Sequence, residues 1–249
     1  MSEQTVQAPL RQAAPTPEAI VDLVQAGKQA LEDGDLDGAL ARFEAVIHRF
    51  PDSREGHNNL GALFATLGRH EQAETCFTRV LELSPGVPNV HYNRGISRIR
   101  LRRYAAATAD FQAVLQVQPT DADSWNNLGV AHFLQGDHAT AAANFRQALA
   151  LTPNYPSAVL NLADAEAARG QPDAAITACE QFLDGRTDPE VGRRLVTLLS
   201  DEAGRLLGRA ATAAQTLLAA HGDDEPTRES LARADAARGA LLAASGAAV

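Results

Sequence analysis

Four asparagines, Asn59, Asn93, Asn127 and Asn161, recur every 34 residues along this 249-residue chain, and Gln25 stands one interval earlier. A primary amide carries one acceptor and two donors, so each of these side chains matches a peptide unit at two points. Asparagine is a mediocre helix former, so helix propensity does not account for the column. The chemistry on offer is hydrogen bonding to another chain, with no covalent step.

Other chemistries find little support. The seven histidines show neither HExxH spacing nor clustering with cysteine, so no metal site is expected. His57 and His91 occupy the same repeat position as Trp125, and His132 sits at another packing position; these read as structural. Cys76 and Cys179 lie far apart and outside any CxxC, which excludes a disulfide framework. Cys179 reads as a small buried hydrophobe and Cys76 as partly exposed. No phosphate loop, nucleophile elbow or dinucleotide fingerprint is present, and Asp223-Asp224 reads as a helix start. The sequence points to a non-catalytic protein without cofactors.

The elements that must position the amides follow from further columns at the same interval. Gly27, Gly61, Gly95 and Gly129 are followed by Ala163, and Phe43, Phe77, Phe111 and Phe145 by Cys179. Ala39, Ala73, Ala107, Ala141 and Ala175 form an unbroken column, and Pro51, Pro85, Pro119 and Pro153 another. Five units follow without insertion: 20–53, 54–87, 88–121, 122–155 and 156–189. Each reads as two helices. In the fourth unit Trp125, Leu128, Gly129 and His132 share one helical face, Gly136-Asp137 breaks the helix, and Ala141, Phe145, Ala148 and Leu149 line the second before Pro153. One hairpin cannot bury its own apolar face, so the units must stack.

The columns Trp125, Leu128-Gly129, His132, Ala141, Phe145, Ala148 and Pro153 closely resemble the tetratricopeptide repeat family. That resemblance implies an all-α, right-handed superhelical solenoid of helix-turn-helix repeats whose first helices line a concave groove. It also implies a protein that binds peptides or other proteins. A residue two places from both Trp125 and Gly129 points away from the packed face, which puts Asn127 and its counterparts in that groove. Similar asparagine columns in some relatives, including the repeat region of O-GlcNAc transferase, hold extended chains. By that resemblance each amide would meet about every third residue of a bound strand; the alternative is that the column bonds neighbouring helices or water.

Asn58, Tyr92, Asn126, Lys28 and Arg100 are further expected groove residues, with Ile96, Val130, Phe133, Leu134 and Asp164 on the same side. The family's carboxylate clamp is not matched. Asn89 and Asn93 stand where it needs Lys and Arg, and only Asn59 agrees. Net charge along the five units is −4, −1, +3, −1 and −4, so a basic middle lies between acidic ends. Within that middle an Arg94–Asp110 ion pair is expected inside the repeat, as recurs in relatives with Asn-Arg-Gly and Asp-Phe. Arg100 is left to meet an acidic stretch of a partner.

Beyond the repeats, residues 1–19 read as a flexible leader and 190–249 as C-terminal capping helices, the alternative being a self-association surface, since Ala-rich faces allow close helix contact; a turn is expected near His221-Gly222-Asp223-Asp224. The overall charge of −9 argues against nucleic acid, and no apolar run is long enough to insert in a membrane. The default compartment is a reducing cytoplasm. Two roles are expected: a scaffold that binds an extended segment in its groove, or an assembly protein that forms a homo-oligomer by taking another subunit's terminus.

Overall fold

The computed structural model describes residues 17–221 and 225–246, which form twelve α-helices and, among the described residues, no strand. Helices α1 (Pro17–Glu32), α2 (Leu36–Arg49), α3 (Arg54–Thr66), α4 (His70–Leu83), α5 (Pro88–Arg100) and α6 (Tyr104–Val117) belong to one compact unit, residues 1–119. The second unit, 120–249, holds α7 (Ala122–Leu134), α8 (His138–Leu151), α9 (Pro156–Ala168), α10 (Pro172–Leu183), α11 (Pro189–His221) and α12 (Glu225–Gly246). Within each unit neighbouring helices pack as hairpins, α1 with α2 through α11 with α12. Of the expected leader, 1–16 lies outside the described residues. Its last three residues begin α1, where Pro17 suits a first helical turn whose N–H groups need no partner within the helix. Of the expected C-terminal turn, 222–224 also lies outside.

Helix starts are set locally. The carboxylates of Asp35, Asp121 and Asp137 and the hydroxyl of Ser53 accept from the backbone N–H three residues on, closing α2, α7, α8 and α3 respectively. The connections between paired helices need a left-handed residue. Gly34, Gly68, Gly136 and Gly170 supply it at φ from 73° to 84°, and in the third repeat Arg102 takes the same place at φ 58°. A side chain in that conformation costs about 1–2 kcal/mol. Arg102→Gly is therefore expected to stabilise the first unit by about 1 kcal/mol, the gain being reduced by the freedom glycine adds to the unfolded chain. A urea midpoint that fell in this variant would show that contacts of the Arg102 side chain outweigh the strain.

The Gly and Phe columns prove to be a single packing device. A Cβ on Gly27, Gly61, Gly95 or Gly129 would stand 2.4, 2.9, 2.8 or 2.5 Å from a ring atom of Phe43, Phe77, Phe111 or Phe145. Each ring lies against the backbone of the facing helix and is almost wholly buried, which contributes about 1.5–3 kcal/mol apiece. In the fifth repeat Ala163 carries the extra methyl and Cys179 replaces the ring; both are fully buried in one cluster. Cys76 departs from expectation. It is buried in the cluster that holds Phe64 and Phe77, and that burial pushes its thiol up to about 11. It keeps its proton at neutral pH.

The basic middle is largely consumed inside the first unit. Arg94 of α5 donates through Nη2 to Asp110 Oδ1 of α6 at 2.7 Å, the intra-repeat pair expected from the sequence. Arg98 adds a bond to Asp110 Oδ2 at 2.7 Å and one to Glu74 of α4 at 2.8 Å, and Arg103 also pairs with Glu74. His91 Nδ1 lies 3.0 Å from Asp110 Oδ1. Asp110 is thus a buried carboxylate held by two guanidinium groups and an imidazole, which is what offsets the penalty of burying its charge. The second unit has a counterpart: Glu166 of α9 is fully buried and pairs with Arg169 at 2.7 Å and with Arg146 of α8.

The C-terminal segment opens with a single 33-residue helix, α11. Val191, Leu195 and Leu198, near its start, pack into the cluster formed by Val159, Ala163, Cys179 and Phe182. They cover the apolar face of the last hairpin, as a cap must. The remainder of α11 runs alongside α12.

Candidate peptide-binding site

The first helix of each pair presents the residues singled out above, and their side chains divide into committed and uncommitted groups. In the first unit Lys28 donates to Glu55 Oε1 at 2.8 Å, tying α1 to α3. Asn58 lines a recess with Ser53, Glu55, Ser84 and Asn89. Asn59 is half-buried, and its Nδ2 is enclosed without a hydrogen-bond partner. Tyr92 turns its ring edge-on to Phe111, with centroids 5.8 Å apart, so packing as well as the surface determines that residue. Asn93 is half-buried; its backbone carbonyl accepts from Ser97 Oγ at 3.0 Å, and no hydrogen bond to its side-chain amide is seen among the described residues. Arg100, at the end of α5, is exposed and has no ion-pair partner among the described residues.

In the second unit the amides are mostly engaged. Asn127 Nδ2 donates to its own helix at the carbonyl of Asp123, 2.9 Å away. Asn161 of α9 donates through Nδ2 to Asn126 Oδ1 of α7 at 3.0 Å. Asn126 corrects the sequence reading. It is only 7% exposed rather than a surface groove residue, because it serves as the acceptor that joins two successive first helices. An amide on the groove side of a helix is therefore not by itself a ligand contact. The neighbouring helix competes for it, and a buried amide must find a partner.

What α7 and α9 enclose instead is an apolar recess of about 220 Å³ lined by Val130, Phe133, Leu134, Phe145, Asn161 and Asp164. Three of these lie on the face of α7 that the 34-residue phase assigned to the groove. Phe145 enters from α8, reaching the recess with the ring that packs on Gly129. Asp164 is half-exposed at the recess and bonds Arg194 of α11 at 2.7 Å. Arg194 belongs to the helix beyond the last repeat, where the column grammar has ended, so its role was not readable from spacing. Leu134, another lining residue, is 43% exposed. Such a hollow, apolar with an amide and a carboxylate in its lining, suits one aliphatic or aromatic side chain.

Among the described residues no group of three or more His, Cys, Asp or Glu could hold a metal ion, and no helix is long and apolar enough to cross a membrane.

Comparison with solved structures shows the fold. MamA from Desulfovibrio magneticus RS-1 superimposes with a TM-score of 0.64 at 20% identity, covering 66% of this chain and 93% of its own. YrrB, described as a TPR protein with an unusual peptide-binding site, gives 0.64 at 14% identity over 72% of this chain and 92% of its own. TTC0263, a thermophilic TPR protein from Thermus thermophilus, gives 0.53 at 22% identity over 73% and 99%. A family model described as Tetratricopeptide repeat matches residues 24–88 and 92–156, and a second of the same description matches 132–198. With repeat columns, hairpin packing and family models in agreement over more than half its length, the chain belongs to the tetratricopeptide repeat family.

Proposed function

We propose that this protein is a non-catalytic interaction scaffold whose first helices hold an extended segment of a partner protein, an apolar side chain of that segment seated in the recess between α7 and α9. The observation that carries the reading is the recess itself: an apolar hollow bordered by the Asn161 amide, with Leu134 half-exposed in its lining. An apolar side chain entering the hollow would cover Leu134 together with the apolar lining. That YrrB, a neighbour of the same fold, is described as having a peptide-binding site supports the class of ligand. Considered by itself, the first unit offers an uncommitted amide at Asn93 and an exposed cation at Arg100, chemistry that suits a peptide backbone and an acidic side chain. The two cysteines are unpaired and buried, in keeping with a reducing cytoplasm.

Selection from a displayed library of random linear peptides tests the reading. Enriched sequences should place one aliphatic or aromatic residue at a fixed position. Leu134→Asp, at an exposed site that leaves the fold intact, should weaken a selected peptide at least about tenfold by fluorescence polarisation. A library without enrichment, or a selected peptide indifferent to Leu134→Asp, removes the recess as the binding site.

A further inference from the structure

The long helix α11 has three faces, and among the described residues only two of them are covered. Val191 and Leu198 are buried against the repeat stack. Ala211 and Ala214 are buried on the side of α12, where Leu241 lies 3.4 Å from the place a Cβ on Gly204 would take. On the third face Val196, Leu199, Ala203, Leu206, Ala210 and Ala213 alternate at spacings of three and four, and Leu217 continues the series. That is an a/d heptad seam about 38 Å long counted from Gly192 to Leu217. A seam of this kind has its hydrophobes buried when a partner helix covers it. Here Val196 is 64% exposed, Leu199 46%, Leu206 51% and Leu217 50%.

We propose that this seam is a self-association surface through which α11 pairs antiparallel, about a two-fold axis, with α11 of a second copy of the chain. The choice of partner comes from the order of residue sizes along the seam. With the axis between Ala203 and Leu206, Leu206 meets Ala203 of the copy, Leu199 meets Ala210, Val196 meets Ala213 and Leu217 meets Gly192. Every layer then sets a large side chain against a small one, and each contact occurs twice, as an isologous interface requires. A parallel pairing would instead stack like on like, leaving Ala203 against Ala203 with space between the helices and Leu206 against Leu206.

Charge agrees with the antiparallel register. Glu202 and Arg209 flank the same edge of the seam seven residues apart, and Arg209 is exposed. The two-fold axis that aligns the apolar layers also brings Arg209 of one copy to Glu202 of the other, twice per dimer. Glu202 is bonded by Arg205 Nε at 2.8 Å, and its side chain is 14% exposed, at the border between the seam and a recess that α11 shares with α9 and α10. In a parallel pair the residue opposite Glu202 at the seam's edge would be Leu207, and no such ion pair forms. The cap and the dimer are thus opposite sides of one helix, and the dimer does not depend on what the first helices bind.

Sedimentation velocity on the full chain tests the proposal. The wild type should run at twice the chain mass at about 100 µM and dissociate on dilution. Leu206→Glu, which places two carboxylates near the axis but changes an exposed position in the monomer, should raise the dissociation constant at least about 100-fold with an unchanged circular dichroism spectrum. Glu202→Arg and Arg209→Glu should each weaken the dimer about tenfold, and the double exchange should recover most of that loss, because only the antiparallel register couples the two positions. A chain that stays monomeric at about 100 µM, its seam taken by a helix of another protein, overturns the proposal. So does a dimer indifferent to Leu206→Glu, or an exchange that shows no recovery.

Discussion

Asp110→Ala is expected to destabilise the first unit by about 3–5 kcal/mol, because it leaves two guanidinium groups inside the repeat without their common carboxylate. The side chains of Arg94 and Arg98 are 14% and 16% exposed, so neither can recover its solvation without moving the helix that carries it. The loss falls mainly on Arg94. Arg98 keeps its bond to Glu74, whereas Arg94 retains only Thr78 Oγ1 at 3.2 Å. Hydrogen exchange should show the effect first in α4, α5 and α6, with the second unit unchanged. Removing both partners, as Arg94→Leu with Asp110→Leu, should return much of the stability, since a buried ion pair and an apolar pair of similar size are close in free energy. If the single variant lost under about 1 kcal/mol, the network would be a surface feature in all but appearance.

Gly129→Ala is expected to cost about 1–3 kcal/mol despite adding one methyl to a helix that would otherwise prefer alanine. The new Cβ would lie 2.5 Å from Phe145 Cε1, and the ring cannot withdraw because it is itself buried. Phe145→Cys alone should cost roughly 3 kcal/mol or more through the cavity it leaves. The two together should cost at least about 1 kcal/mol less than their sum, because each change provides what the other lacks. The fifth repeat already contains that combination as Ala163 and Cys179. Additive losses in urea midpoints would mean that the glycine column answers to something other than the ring.

The columns of the sequence make the fold legible because each is a local requirement repeated at one interval. Glycine must lie under a ring, and a left-handed residue must join two helices. Both are satisfied within about 34 residues of chain, so they need no knowledge of distant contacts. The site is less legible for the opposite reason. Asn126 and Asn127 are adjacent and chemically identical, and both fall toward the groove by phase. Yet Asn126 is buried as the acceptor of Asn161, and Asn127 bonds its own helix. Which amide stays available depends on the gap to the next hairpin, a distance no column encodes. Cys76 and Asp110 give a second case. They hold the same repeat position, one repeat apart, as do Phe64 and Arg98 on the facing helix. The second repeat fills the place with Phe64 and Cys76 in its apolar cluster, and the third fills it with an ion pair. The spacing identifies the place, while the contents answer to each other.

The sequence by itself thus determined the family and the helix-pair pattern of its repeats, since these follow from short-range spacing and from side-chain volume. Only the tertiary structure decided which groups are left over for other molecules. It used Arg94, Arg98 and Arg103 inside the first unit and committed three amides of the second, Asn126, Asn127 and Asn161. It also showed that, among the described residues, none covers one stripe of α11 after the stack and α12 have taken the other faces. The physical reason is competition: a polar atom or an apolar face is available to a partner only where the protein's own neighbours have not already covered it.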